Sequence, residues 1–194
     1  LVLVWLAGRC AVTLSANIGW LGAMLVDGAF LVLMAAAVAR EIVAGKNWRN
    51  LKIVGLLCLL AAGNLGFHLE AHYEGLAHYS TRFGITAVLI LIMVVGGRII
   101  PSFTRNWLLR QKPGRLPAPF DRFDTACLAL SGASLALGTV VPDGQPTGIA
   151  LLVAAALNLA RLGRWAGDRT FSDRLVLVLH VAYAFLPLGY FAGN

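Results

Sequence analysis

Seven apolar stretches recur along the chain, at approximately 1–17, 21–39, 52–69, 83–100, 124–141, 147–163 and 175–192. Each is close to the length of helix, about 20 residues, that crosses the hydrocarbon core of a bilayer. No other feature constrains the fold so tightly. Of 194 residues, 59% are hydrophobic and only 13% charged, against about 25% charged in a soluble domain. A water-soluble core of this length has no use for so much apolar surface, so lipid is the second solvent. The expected fold is all-α, a polytopic transmembrane bundle of about seven spanning helices forming a single membrane domain over residues 1–194. The sixth stretch is the weakest, because its uninterrupted core runs only from Ile149 to Ala160. A re-entrant segment is the alternative there.

Charge tests the helix count independently. The connection after the second stretch carries Arg40, Lys46, Arg49 and Lys52. The one after the fourth carries Arg98, Arg105, Arg110, Lys112, Arg115 and Arg122, and the one after the sixth carries Arg161, Arg164, Arg169 and Arg174. These three hold fourteen of the 16 Lys and Arg residues. The alternate connections are neutral or acidic apart from Arg82. A missed or invented span would break this alternation, which under the positive-inside rule puts the basic loops in the cytoplasm. The same distribution argues against nucleic acid as the partner of the +7 net charge, since the basic residues form no continuous face. Trp48, Trp107 and Trp165 all fall in basic connections, where amphipathic rings sit at headgroup level.

Cys10, Cys58 and Cys127 each lie in an apolar run without a CxxC pair and read as small buried residues. The chain starts on a leucine already inside an apolar stretch and stops at Phe191-Ala192-Gly193-Asn194. The expectation is a piece of a longer polytopic protein. Small residues at Gly63 and Gly66, Gly96 and Gly97, Gly132 with Ala136 and Ser134 with Gly138 allow helices to approach closely.

Ionisable groups at membrane depth are costly and mark candidate sites. Arg9 in the first stretch and Asp27 in the second lie at similar distances from the turn near Gly19, so antiparallel neighbours would pair them. The pair is either a structural register lock or part of an anion, propionate or proton site. Asn64 and Asn158 are expected to bond across helices. His68 and His72 are spaced i, i+4, and on a continuing helix both imidazoles share a face that could chelate a transition metal. His78 or Glu74 would close such a site; the alternative is a solvated interfacial loop. His180 lies inside the seventh stretch, where it either hydrogen-bonds a neighbouring helix or serves as an axial haem ligand. It lies near the cytoplasmic half and His68 near the outer half, so the two are not expected to share one iron.

The run Val94-Val95-Gly96-Gly97-Arg98-Ile99-Ile100-Pro101-Ser102-Phe103-Thr104-Arg105-Asn106-Trp107 reads as a close-packed helix stopped by Pro101. Its Arg98 and Arg105, with Ser102, Thr104 and Asn106, present donors to an anionic group such as a haem propionate or lipid phosphate. This run resembles the signature of the NnrS family, polytopic bacterial membrane proteins linked to the nitric oxide response. The stretches Lys46–Leu51, Asn64–His68 and Leu179–Gly189 are similar to that family in the same order. The resemblance implies a haem- and copper-containing protein of the bacterial inner membrane, contributing to nitrosative-stress resistance with nitric oxide as a ligand. It also implies about a dozen helices, of which this chain would be the middle. Two of its positions, His68 and His180, match the family pattern as cofactor ligands; His72 and His78 are less typical of it.

The leading expectation is therefore a haem and metal membrane protein of the nitric oxide response, non-enzymatic or weakly redox-active. A secondary transporter, with Arg9, Asp27 and Asn64 lining a pathway, is the alternative from a different class. In a third reading, a membrane scaffold, every polar group above is structural.

Overall fold

The computed structural model describes residues 1–111 and 113–192. Lys112, counted above among the basic loop residues, lies outside them, as do Gly193 and Asn194. Seven α-helices follow in order: α1 Val2–Thr13, α2 Ser15–Ala44, α3 Leu51–Glu74, α4 His78–Leu108, α5 Arg122–Val140, α6 Gln145–Gly163 and α7 Arg174–Ala192. There is no strand among the described residues. Six helices are long and apolar enough to cross a membrane, while α1, at 12 residues, is shorter. A helix of 19 residues, as in α5, α6 and α7, spans about 28 Å, close to the bilayer core of about 30 Å.

Sequence punctuates these helices legibly. Gly19, at φ +79° and ψ 157°, interrupts α2 soon after its start, so the apolar run from residue 1 ends at that turn and a new helix begins. Gly75, at φ +77°, gives α3 a left-handed C-cap. Asp121 caps α5 by accepting from the Phe123 and Asp124 amides, and Asp124 returns a bond from the Asp121 amide. Asp173 accepts from the Leu175 and Val176 amides at the start of α7.

The chain divides into two compact units, Leu1–Val88 and the residues from Leu89 onward. In the first, α1 packs on α2 and α2 on α3. In the second, α5 packs on α6 and α6 on α7, around a core of Met93, Leu151, Ala154, Ala155, Leu186 and Tyr190.

Burial is inverted relative to a water-soluble protein. At most 33% of any spanning window is buried, and large apolar side chains such as Leu25, Ile85, Ile149 and Val178 face outward. The interior instead hides Asp27, Thr104, Asp124, Ser131, Asn158, Arg161 and His180. Lipid accepts the first group without penalty but cannot solvate the second, so the polar groups satisfy one another inside.

Three expectations change here. Pro101 does not stop its helix, because α4 continues to Leu108. A proline costs a helix one N–H bond and crowds the carbonyl one turn earlier, and in membrane helices neighbouring groups re-satisfy the freed backbone. Arg98 and Arg105 therefore sit on a helix face rather than in a loop. Arg161 and Trp165, read as residues of a basic connection, are buried at 0% and 2% exposure. Of the cysteines, only Cys127 is buried; Cys10 and Cys58 lie on outward surfaces.

Candidate functional site

Two polar centres stand out, one in each unit. In the first, Asp27 of α2 is buried, and its carboxylate gathers donors from two other helices. Arg9 of α1 forms an ion pair with Oδ1. Asn64 Nδ2 of α3 donates to Oδ2 at 2.8 Å, and His68 Nε2, one turn further along α3, lies 3.2 Å from the same oxygen. Gly8 makes this possible, since a Cβ there would lie 3.0 Å from Asp27 Oδ1. Arg9 keeps half its side chain exposed, which eases its burial.

The three histidines nearby go separate ways. His68 faces Asp27, His72 stacks on Trp20 with centroids 4.2 Å apart, and His78 opens α4 on the surface. Glu70 occupies the remaining space, accepting from the Tyr79 and Ser80 amides at 2.8 and 2.7 Å and so capping α4 from α3. No group of three or more His, Cys, Asp or Glu side chains gathers as a metal cage among the described residues. The His68, His72 and His78 set is thus not brought together, and it does not fit copper as it stands.

In the second unit the centre is a cation. Arg161 of α6 is fully buried. Its Nε donates to Asp124 Oδ1 at 2.8 Å, and Nη1 donates to the Met93 carbonyl at 3.2 Å and to the Tyr183 hydroxyl at 3.0 Å. The Tyr183 hydroxyl donates in turn to Asn158 Oδ1 at 2.9 Å, and Asn158 Nδ2 donates to Ser131 Oγ at 2.8 Å. The guanidinium also lies over the Trp165 ring, 5.3 Å from its centroid. Gly96 and Gly97 make this centre possible. A Cβ on Gly96 would press the Tyr183 ring at 3.2 Å, and one on Gly97 would fall 2.7 Å from Arg161 Cζ. The glycine pair read as a helix-packing signal is in fact the space that holds an arginine and a tyrosine. Arg161 Nη2 has no hydrogen-bond partner among the described residues.

At the rim of this centre, outside the spans, Arg164 pairs with Asp121 and reaches Asp124 at 3.4 Å. The hydrogen bond from Arg164 holds the Asp121 carboxyl at about 2, below its ordinary 3.8, and the same bond raises the pKa of Arg164.

His180 of α7 forms a further site in this unit. It is 6% exposed, and its Nε2 lies 2.8 Å from Thr104 Oγ1 of α4, whose hydroxyl donates to the Ile100 carbonyl at 2.8 Å. The tautomer that satisfies both contacts carries its proton on Nε2, which leaves Nδ1 with an in-plane lone pair. Nδ1 is buried and has no hydrogen-bond partner among the described residues. A Cβ on Gly167 would lie 2.7, 2.9 and 3.1 Å from Nδ1, Cγ and Cε1. Such near-equal distances place Gly167 over the ring face and leave the lone-pair direction clear of it. His180 borders a cavity of about 520 Å³ walled by Leu159, Leu162, Phe171, Leu177 and Val181, with Arg115 and Asp168 as its polar groups. Those two are themselves ion-paired.

Arg98 and Arg105 do not share that cavity. With Pro101 and Ser102 they line a separate one of about 340 Å³, closed by the Pro117–Phe120 segment. Residues 98, 101, 102 and 105 share one face of α4 by helical spacing, and Thr104 lies on another.

Arg161, Asp124 and Tyr183 were not brought forward by the sequence, and Thr104, expected as a rim donor, instead pairs with His180 in the interior. A signal for Arg161 was present: Thr147, Leu151, Ala154, Asn158 and Arg161 recur at steps of three and four and are the buried stripe of α6. Counting Arg161 as a loop charge hid it.

The fold and these centres define a polytopic helical membrane protein with charged groups paired in its interior. Within that class, the sequence model of the NnrS family, described as NnrS protein, matches residues 1–193. The chain belongs to the NnrS family. No curated protein and no solved structure gives a significant match.

Proposed function

We propose that this protein is a multi-pass protein of the bacterial inner membrane that binds haem through His180 and contributes to the nitric oxide response. Family membership supports the response. The observation that carries the haem assignment is the buried, unpartnered Nδ1 of His180 at an apolar cavity. A buried nitrogen lone pair without a donor is costly, and an iron centre would relieve that cost.

Haem fits the residues present. His180 would supply a nitrogen ligand to the iron, Thr104 would hold the imidazole's orientation and tautomer, and the aliphatic wall with Phe171 would exclude water. Arg115 is the cation at that cavity, and a propionate would have to compete there with its partner Asp168. When bound, the group supplies an iron that takes nitric oxide as a ligand. Arg98 and Arg105, in a different cavity, are not part of this assignment. His68 is a weaker candidate, since it shows no buried ring nitrogen left without a partner, as His180 does. Copper finds no ready donor set among the described residues. The basic connections, on the charge alternation, face the cytoplasm in this proposal. Family membership does not favour the transporter alternative.

The test is optical, on protein purified in detergent. A Soret band should be present in the wild type and shift with nitric oxide. A folded preparation without haem would remove the proposal.

A further inference from the structure

We infer that the cavity beneath the fourth helix's cytoplasmic-rim signature is an anion site for a phosphate group. It is lined by Gly97, Arg98, Pro101, Ser102 and Arg105 of α4, with Asp124 and Trp165 behind and the Pro117–Phe120 strap across it.

Its chemistry is one-sided. Arg98 and Arg105, two turns apart on one helix face, supply forked guanidinium donors with the Ser102 hydroxyl between them. The strap offers little in return. Pro117 and Pro119 have no N–H, and the Ala118 amide is already used on the Arg164 carbonyl at 3.0 Å, which pins the strap in place. The one acidic lining residue, Asp124, does not set the sign of the cavity. Its Oδ1 is taken by Arg161 and its Oδ2 by Arg164 and the Asp121 amide.

A second observation is independent of the exposed arginines. Arg161 is fully buried, and its Nη2 is the one nitrogen of that guanidinium without a partner. It lies against Gly97, where the wall of the cavity has no side chain. Asp124 balances the charge of Arg161, so what this residue adds beside the cavity is an unspent N–H donor. A tetrahedral oxyanion accepts from several directions at once, which suits two forks and a hydroxyl with a further N–H behind them better than a planar carboxylate does.

The phosphate can belong to a lipid headgroup or be free in solution. Ile99 and Phe103, outward-facing neighbours on the same helix, would accompany acyl chains in the first case.

The experiment uses the purified full chain with two probes. Inorganic phosphate is titrated calorimetrically in detergent, and phosphatidic acid retention is read by native mass spectrometry against phosphatidylcholine. Saturable binding of either probe is expected: the phosphate arm identifies a soluble ligand and the lipid arm a headgroup. The double variant Arg98→Gln/Arg105→Gln should weaken that binding about tenfold or more, as for loss of a charge-assisted hydrogen bond. Ser102→Glu, which keeps both arginines and adds a negative charge at an exposed position, should do the same if the double variant fails to fold. Arg110→Gln, outside the cavity, should leave binding unchanged. No saturable binding of either probe, or an equal loss in Arg110→Gln, overturns the inference.

Discussion

The two units solve the same problem with opposite signs. The first surrounds a carboxylate with donors, so that Asp27 receives Arg9, Asn64 and His68. The second surrounds a guanidinium with acceptors, so that Arg161 serves Asp124, Tyr183 and Met93. Their remainders differ. Around Asp27 the unmatched atom is an amide oxygen, Asn64 Oδ1. In the second unit it is a charged donor, Arg161 Nη2, and an imidazole lone pair, His180 Nδ1. The first centre is close to self-contained, and its contacts join α1, α2 and α3. The two unmatched groups of the second unit call for different partners, an acceptor for Nη2 and an electrophile for the Nδ1 lone pair.

The contrast can be broken most forcefully at Arg161. Replacing it with Ala leaves Asp124 buried without its main partner and should cost about 3–5 kcal/mol, read by denaturant unfolding in micelles. The double change Arg161→Met/Asp124→Leu should recover much of that loss if the pair is structural alone. Gly97→Ala attacks the same centre from α4. Its Cβ would meet the guanidinium, and overpacking of this kind costs about 1–3 kcal/mol. Thermal denaturation should show the loss without any change in charge.

Asp27→Asn should be milder, about 1–2 kcal/mol, because the half-exposed Arg9 can still turn toward headgroups and its pairing is screened. A loss as large as that of Arg161→Ala would erase the difference drawn between the centres. Tyr183→Phe removes a hydroxyl that both donates and accepts, and should cost about 1 kcal/mol.

The smallest effect is a pH effect at the rim. The Asp121 carboxyl, held at about 2 against an ordinary 3.8, has a lowered folded-state pKa. Its contribution is therefore complete above the ordinary value and fades as pH falls through about 2. Hydrogen exchange at the Phe123 and Asp124 amides, corrected for intrinsic rates, should accelerate over that window.

Much of this was legible in the sequence, and for physical reasons. Spans announce themselves because lipid demands unbroken apolar length, and Gly19 and Gly75 mark turns because left-handed backbone favours glycine. The Arg9–Asp27 juxtaposition followed from counting residues either side of a turn. The second centre was hidden because its arginine lies at the end of a span, where charge alone looks like a loop. Only helical phase, with Arg161 on the stripe of Asn158 and Ala154, separates a buried end-of-helix arginine from a snorkelling one. Pro101 misled for a related reason: proline rules drawn from water overstate its power to end a helix in lipid. The choice between His68 and His180 was not legible in one dimension, since only packing reveals which imidazole keeps a buried nitrogen without a partner.

That last distinction is the most direct point of test. Haem content per protein, from the pyridine haemochrome spectrum, should be measured for wild type, His180→Ala and His68→Ala in parallel. The account predicts loss of the haem signal in His180→Ala and its retention in His68→Ala. Retention in His180→Ala, with loss in His68→Ala, would contradict it.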